Sequence, residues 1–320
     1  MSSASLSRQA LALAQADSVL SQKGRSFYWA SKLLKAEHAA RATRLYSLCR
    51  YLDDLADEAT SPTLARLALD DVKSAVMRRQ ASHPVVQDGI LLMEECRIRP
   101  LVVCQLIDGV RSDLETVAVT NLDELLAYCY QVAGTVGLMM CSVLGTENAA
   151  AMPHAVDLGI AMQLTNICRD VQADAVAGRR YLPASMVGDV PPAALIQPAV
   201  ALQPQLQDCL HQLLAIAERY YRSGEMGLSY LPVGARAGIL TAARIYREIG
   251  AGLAQRQYQF WLGRVVVSPA RKAAVTAKLL LRAPLTPSFW RPTQLHQPAL
   301  HGAFSALLAD ASAATTVHDH

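Results

Sequence analysis

Two acidic stripes constrain this chain more than any other feature. The first is Arg50-Tyr-Leu-Asp53-Asp54-Leu-Ala-Asp57-Glu58, the second Asn166-Ile-Cys-Arg169-Asp170-Val-Gln-Ala-Asp174. Asp53 and Asp57 stand four residues apart. Asn166, Asp170 and Asp174 repeat that step twice, with Gln163 a turn earlier on the same side. On an α-helix a four-residue step returns to one face. The flanking Ala- and Leu-rich runs hold little that would break a helix. Asp54 lies about a third of a turn from Asp53 and need not share its face. Two helices that aim such stripes at each other make an oxygen cage for a hard cation such as Mg²⁺, which leaves positions open for phosphate oxygens. Each stripe also carries an arginine, Arg50 or Arg169, and arginine suits phosphate. The pattern points to chemistry on a diphosphate. Taken alone, the first stripe is equally a solvated acidic face with Arg50 as its ion-pair partner. The second has no interspersed lysine and is harder to read as surface.

Composition bounds what these stripes can serve. Of 320 residues, 52% are hydrophobic and only 18% charged, which implies a large core, a large apolar cavity, or both. A net charge of +3, with no dense basic run and no interleaved aromatics, gives no case for nucleic acid. No uninterrupted apolar stretch reads as a bilayer span, and the N-terminus lacks a signal-peptide core. The seven cysteines show no CxxC pair and are expected to be reduced packing residues of a cytoplasmic protein. The eight histidines show no metal-ligand spacing; His296, His301, His318 and His320 read as loop or tail residues.

Helical periodicity runs through 5–20, 37–58, 64–79, 85–96, 100–117, 122–145, 149–175, 200–225, 233–262 and 269–282. Breaks are expected at Ser61-Pro62, His83-Pro84, Arg99-Pro100, Met152-Pro153 and Leu231-Pro232. Alternating strand patterns are scarce, so the expected fold is all-α, in one domain over 1–320. Pro183 to Pro204 reads as an irregular loop, 283–320 as a poorly placed tail, and the last dozen residues as frayed. Inside the run Tyr128-Cys-Tyr-Gln-Val132-Ala133-Gly134-Thr-Val-Gly137, the glycines mark either a close helix contact or space for a long apolar substrate. Gly178-Arg179-Arg180-Tyr181 is either a lid over a diphosphate or a set of arginines complementing a helix dipole. Lys23-Gly24-Arg25-Ser26-Phe27 is compatible with a phosphate-contacting loop.

In this order along the chain, the motifs resemble those of the squalene/phytoene synthases, most closely the bacterial phytoene synthases. The resemblance rests on Ser26-Phe27, Leu45 to Asp57, Leu106 to Leu114, Tyr128 to Gly137, Gln163 to Asp174, Gly178 to Pro183, Ala243 to Gly250, and Arg264 with its three valines. It covers roughly residues 20–275. It implies an all-helical isoprenoid-synthase bundle around a central apolar cavity. By carry-over, Asp53, Asp57, Asn166, Asp170 and Asp174 bind Mg²⁺, with Mn²⁺ as a substitute. Ser26, Tyr46, Arg50, Arg169, Arg179, Tyr181 and Tyr246 bind or sense diphosphate. Gln163, Val132, Ala133 and Gly137 line the cavity, and Phe27, Tyr128 and Arg264 complete the substrate-binding set. Asp53, Asp57, Asp170, Asp174 and Tyr246 form the catalytic set. Gln172 and Ala173 depart from the Gly and Glu of many relatives.

The implied reaction is head-to-head condensation of two geranylgeranyl diphosphates through a cyclopropylcarbinyl diphosphate to phytoene, without NADPH. Farnesyl diphosphate would instead give squalene or dehydrosqualene. Head-to-tail prenyl synthases and terpene cyclases share the metal motifs. An inactive relative serving as an assembly or binding protein would have lost acidic ligands, and all are present. Greasy substrate and product imply peripheral association with a membrane surface, and neighbouring carotenoid-pathway enzymes are expected partners.

Overall fold

The helices begin where the sequence places its prolines and caps. The computed structural model describes residues 25–146 and 148–313. Helices α1 (Arg25–Ser31) and α2 (Ala36–Asp57) are followed by α3 (Pro62–Arg78), α4 (Pro84–Cys96) and α5 (Pro100–Ser112). The last three open on proline, whose missing N–H has no intrahelical partner in a first turn. Ser61 caps α3 by accepting from the Leu64 N–H at 3.3 Å. Asn121 accepts from Glu124 N at the start of α6 (Leu122–Cys129). A π-helical turn, Tyr130–Gly134, leads into α7 (Thr135–Val143). Then come α8 (Ala151–Val176), α9 (Gln203–Met226), α10 (Val233–Gln255), α11 (Pro269–Arg282) and α12 (Ser305–Ala313). Pro153 lies within the first turn of α8 and breaks nothing. Lys23, Gly24, the helix expected over 5–20, and His318 and His320 lie outside the described residues.

Two expected helices end early for local reasons. The run expected to reach residue 117 stops at Ser112, with Asp113 as its cap. The run expected to reach residue 262 stops at Gln255, because Gln257 and Tyr258 turn left-handed at φ 52° and 59°. Among the described residues no strand forms. An isolated parallel bridge joins Ala118 to Arg180.

Helix α8 is the spine. It packs against α9, α7, the π turn and α10, and its buried face includes Ile160, Leu164, Ile167, Cys168 and Val171. A second apolar core joins α2 to α5 through Leu48, Leu52, Leu69, Ile90 and Ile107. The run Leu122–Val143 is long and apolar enough to cross a bilayer, contrary to expectation. It is nevertheless a core element, with Leu125, Cys129, Tyr130, Met139 and Val143 buried. Backbones approach closely here. A Cβ on Gly137 would lie 2.1 Å from the Ala155 carbonyl oxygen, and one on Gly159 would lie 2.2 Å from that of Ala133. Gly137 thus makes a close helix contact and also borders the cavity, so both readings of it hold.

The segment after residue 283, expected to be a loose tail, is ordered through Ala313. Short turns at Ala283–Leu285, Pro287–Trp290 and Pro298–Phe304 precede α12. Their periodicity is too brief to read in sequence, and they are held by partners far away in the chain. His296 and His301 bond the carboxylate of Asp157 at 2.9 and 2.8 Å, and Ser223 donates to it as well. Tyr220 donates to Leu300 O at 2.6 Å, Gln105 to Leu307 O at 2.6 Å, and Phe304 stacks on Tyr130 at 5.0 Å. Burial would raise the Asp157 pKa. The donors from His296, His301 and Ser223 outweigh burial and hold it below the usual carboxylate range. Asp157→Asn should lower the free energy of unfolding by about 2–4 kcal/mol in urea titrations near neutrality, because a buried charge-assisted network loses its acceptor. The Asp157 contribution is fully present above about pH 4 and fades as pH falls through the depressed folded value. The gap between wild type and variant should therefore narrow in acid.

Candidate active site

The two acidic stripes occupy the C-terminal turns of α2 and α8, where each helix dipole is already negative. Arg179, just beyond α8, reaches Asp57 at the end of α2 with a 3.1 Å ion pair, so the two stripes share one mouth. Gly178, at φ +76°, allows the chain to turn there, and Arg179 N closes on Asp174 O at 2.8 Å. The Ala118–Arg180 bridge fixes the same loop from the other side. The Arg180 side chain is buried and bonds Val119 O at 2.9 Å, Leu182 O at 2.7 Å and Asp189 at 3.1 Å. Arg180 is thus a staple of the loop, and Arg179 alone of the pair faces the carboxylates.

Asp53 touches solvent at the mouth, yet the crowding of protein around it pushes its carboxyl up to about 7. Asp57 and Asp113 add to this and Arg50 opposes it. Asp174 is pushed up to about 7 by burial and then by Asp170, with Arg179 opposing. Burial would also raise Asp170. Its bonds from Arg169 and from Arg264, at 2.7 Å from Nε, outweigh burial and hold it low. Asp54 faces away from the Asp53–Asp57 line and pairs with Arg50. Asn166 donates to Gln163 Oε1 at 3.3 Å, which leaves its Oδ1 buried without a hydrogen-bond partner. Arg50 Nε is likewise buried and unpartnered. A buried orphan acceptor beside carboxylates that resist ionisation fits a hard divalent cation, and a buried orphan guanidinium donor fits an anion.

Asp113, within the Leu106–Leu114 run, joins the site without having been expected there. It accepts from Tyr181 at 2.7 Å and from Tyr128 at 2.9 Å, and the two tyrosine rings stack at 4.9 Å. Its field reaches Asp53 and Asp174 alike. Burial raises its own pKa, with Tyr181 opposing. The Tyr181 hydroxyl is thereby committed to Asp113, and burial pushes its pKa well up. No local sequence signal singled out Asp113, because its partners Tyr128 and Tyr181 lie 15 and 68 residues further along the chain.

Beneath the mouth lies an apolar cavity of about 290 Å³. Val132, Ala133, Gly137 and Gln163 line it, together with Asn166 and Met162. Phe27, Tyr46 and Tyr246 also border it, with Phe27 centred 6.4 Å from Tyr46 and 5.5 Å from Tyr246. Burial pushes the Tyr246 hydroxyl up to about 12. Ser26 is half-buried next to Phe27 in the first turn of α1. Gln172 bonds Ile196 O at 2.8 Å and so anchors the loop between α8 and α9. Asp157, His296 and His301 bring three ligand atoms within 4.8 Å of one another, contrary to the reading of the histidines. Direct hydrogen bonds already engage those atoms.

Helices enclosing an apolar cavity with paired carboxylate stripes at its mouth form the fold of the squalene and dehydrosqualene synthases. A crystal structure of a dehydrosqualene synthase in complex with ligand matches with a TM-score of 0.78 at 26% identity, over 87% of this chain and 98% of that one. A squalene synthase from Alicyclobacillus acidocaldarius shares the fold at TM-score 0.68 and 17% identity, over 78% of this chain and 95% of that one. The chain belongs to the squalene/phytoene synthase family, whose pattern matches residues 20–271. The 15-cis-phytoene synthase of Enterobacter agglomerans is 34% identical over 291 residues, 83% of this chain and 97% of that one. The phytoene synthase of Rhodobacter capsulatus is 32% identical over 305 residues, 92% of this chain and 87% of that one.

Asp113→Asn should leave the melting temperature near wild type and lower kcat by roughly a hundredfold or more, the scale of losing one preorganised charged group. Steady-state kinetics beside thermal unfolding checks this. Wild-type kcat in the variant would remove Asp113 from the site.

Proposed function

We propose that the protein is a phytoene synthase that condenses two molecules of geranylgeranyl diphosphate head to head and releases diphosphate. The observation that carries this is the facing of the α2 and α8 carboxylates at the mouth of an apolar cavity. Curated phytoene synthases at 30–34% identity over most of the chain support the choice of substrate. Likeness to a dehydrosqualene synthase favours a second reading, in which farnesyl diphosphate is the substrate. The first reading is preferred because the sequence relatives are phytoene synthases.

In this reading Asp53 and Asp57 on one side, and Asn166, Asp170 and Asp174 on the other, hold Mg²⁺, with Mn²⁺ as a substitute. When bound, the metal supplies positive charge to a leaving diphosphate. Arg50, Arg169, Arg179 and Arg264 donate to diphosphate oxygens, exchanging carboxylate partners for phosphate. Ser26, Tyr46, Tyr128 and Tyr181 complete the polar rim. The cavity wall excludes water that would quench an allylic cation, and the rings of Phe27, Tyr46 and Tyr246 offer their faces to it. Condensation forms a cyclopropylcarbinyl diphosphate, whose ionisation, rearrangement and proton loss give phytoene. The released diphosphate, the anion left at the polar end of the cavity, takes the last proton. The product keeps its central double bond, and no NADPH is consumed. The protein works in the cytoplasm at a membrane surface, next to enzymes that use its product.

Product analysis tests this. Purified protein with Mg²⁺ should convert geranylgeranyl diphosphate to phytoene without NADPH. Squalene or dehydrosqualene made from farnesyl diphosphate alone would move it to the second reading, and no turnover of either substrate would favour a binding role. Asp53→Ala and Asp174→Ala should each lower turnover by at least about a thousandfold while leaving the fold intact, since each removes a charged ligand from the diphosphate site. Near-normal activity in either would remove the metal assignment.

A further inference from the structure

Between Glu248 and Asp310 the chain has no acidic residue. Within that stretch, α11 and the turns after it divide into two faces. The inner face carries Leu279, Ala283 and Phe289, all buried in one apolar cluster with Leu144, Leu228 and Leu231. Those last three, with Leu34, Met140 and Ile239 packed beside them, also line the cavity. The outer face repeats at helical spacing: Lys278, Leu281, Arg282 and then Leu285, one turn on. Leu281 is 76% exposed, Leu285 82% and Leu295 85%, and Trp290 is 52% exposed. Lys278, Arg282 and Arg291 are exposed among them. Large apolar side chains, a tryptophan and cations together, with no carboxylate on the segment, have the chemistry of an interfacial anchor.

We propose that the face formed by Lys278 to Leu295 seats on an anionic lipid surface, and that this seating sets the apolar end of the cavity against the bilayer. The occupant is fixed by charge and by position. Cations without acidic neighbours on the segment match anionic headgroups, and the exposed leucines and Trp290 match the acyl boundary. One continuous apolar cluster runs from the cavity wall to the underside of this face, so a hydrocarbon product has an apolar path toward the membrane. The diphosphate mouth is polar and unsuited to that passage. The product route rests on the phytoene synthase reading; the docking face does not.

The test uses the full chain with sucrose-loaded vesicles of phosphatidylcholine, alone or mixed with phosphatidylglycerol. Wild type should sediment with the mixed vesicles and be released by salt. The triple variant Lys278→Gln, Arg282→Gln, Arg291→Gln should bind mixed vesicles roughly a hundredfold more weakly, at about fivefold per cation lost. Leu281→Glu with Leu285→Glu should abolish sedimentation, with circular dichroism and turnover of detergent-dispersed substrate unchanged. Turnover of substrate presented in the vesicles should fall in step with binding. Binding equal to wild type in both variants would overturn the proposal. So would binding indifferent to phosphatidylglycerol, or a wild-type dimer by sedimentation velocity that the double leucine variant splits. Vesicle binding lost in the variants of a chain inactive on prenyl diphosphates would support the docking face and overturn only the product route.

Discussion

Carboxylates of like charge, gathered where two helices end, are the constraint that the rest of the structure answers to. Asp53, Asp57, Asp113, Asp170 and Asp174 act on one another at a single mouth, and both helix termini add negative charge. Such an arrangement tends to spread apart or to take up protons. It stays assembled because its supports are rigid. Arg169 and Arg264 brace Asp170, Arg179 ties α8's end to Asp57, and buried Arg180 fixes the loop that carries Arg179. Pre-set charge of this kind is useful to an enzyme, because the carboxylates are already gathered when a cation and an anion arrive, and only the arginines change partner.

The same molecule keeps its charges apart. Carboxylates and arginines gather at one end of the cavity, and the walls below are mostly alkyl and aromatic side chains from α1, α2, α7, α8 and α10, with His154 among them. The Arg247–Glu225 and Arg247–Glu218 ion pairs, at 2.7 and 2.8 Å, lock α9 to α10 without entering the site. The ordered segment after residue 283 covers α8, α9 and the π turn through Asp157, Tyr220 and Tyr130. Leu300 and Phe304 of that cover join the same apolar cluster as Tyr130, Tyr220 and Ile160.

Much of this was legible in the sequence, for a physical reason in each case. Prolines 62, 84 and 100 marked helix starts because proline lacks a donor that a first turn does not need. The stripes were legible because a four-residue step is the helix's own repeat. Asp113 was not, because its importance comes from Tyr128 and Tyr181, distant in sequence. The order of the C-terminal segment was hidden for the same reason: His301 meets Asp157 across 144 positions. Arg179 and Arg180 look alike in sequence, and only the bridge to Ala118 separates the one that faces the site from the one that staples the loop.

The π turn at Tyr130–Gly134 carries one residue more than an α-helix would need to cover the same path. Thr135 N closes the wide turn on Tyr130 O, and its buried hydroxyl donates to Gln131 O at 2.6 Å. Upstream and downstream halves of this helix are therefore out of phase by about 100° relative to an unbroken one. The chain length of this segment is in that sense a dial. One residue fewer would let the helix run straight and swing Val136 and Met140 away from the cavity they now line, while leaving the residues of α6 where they are. Insertions and deletions that most surface loops of the protein would absorb are, at this single turn, changes to the shape of the chamber.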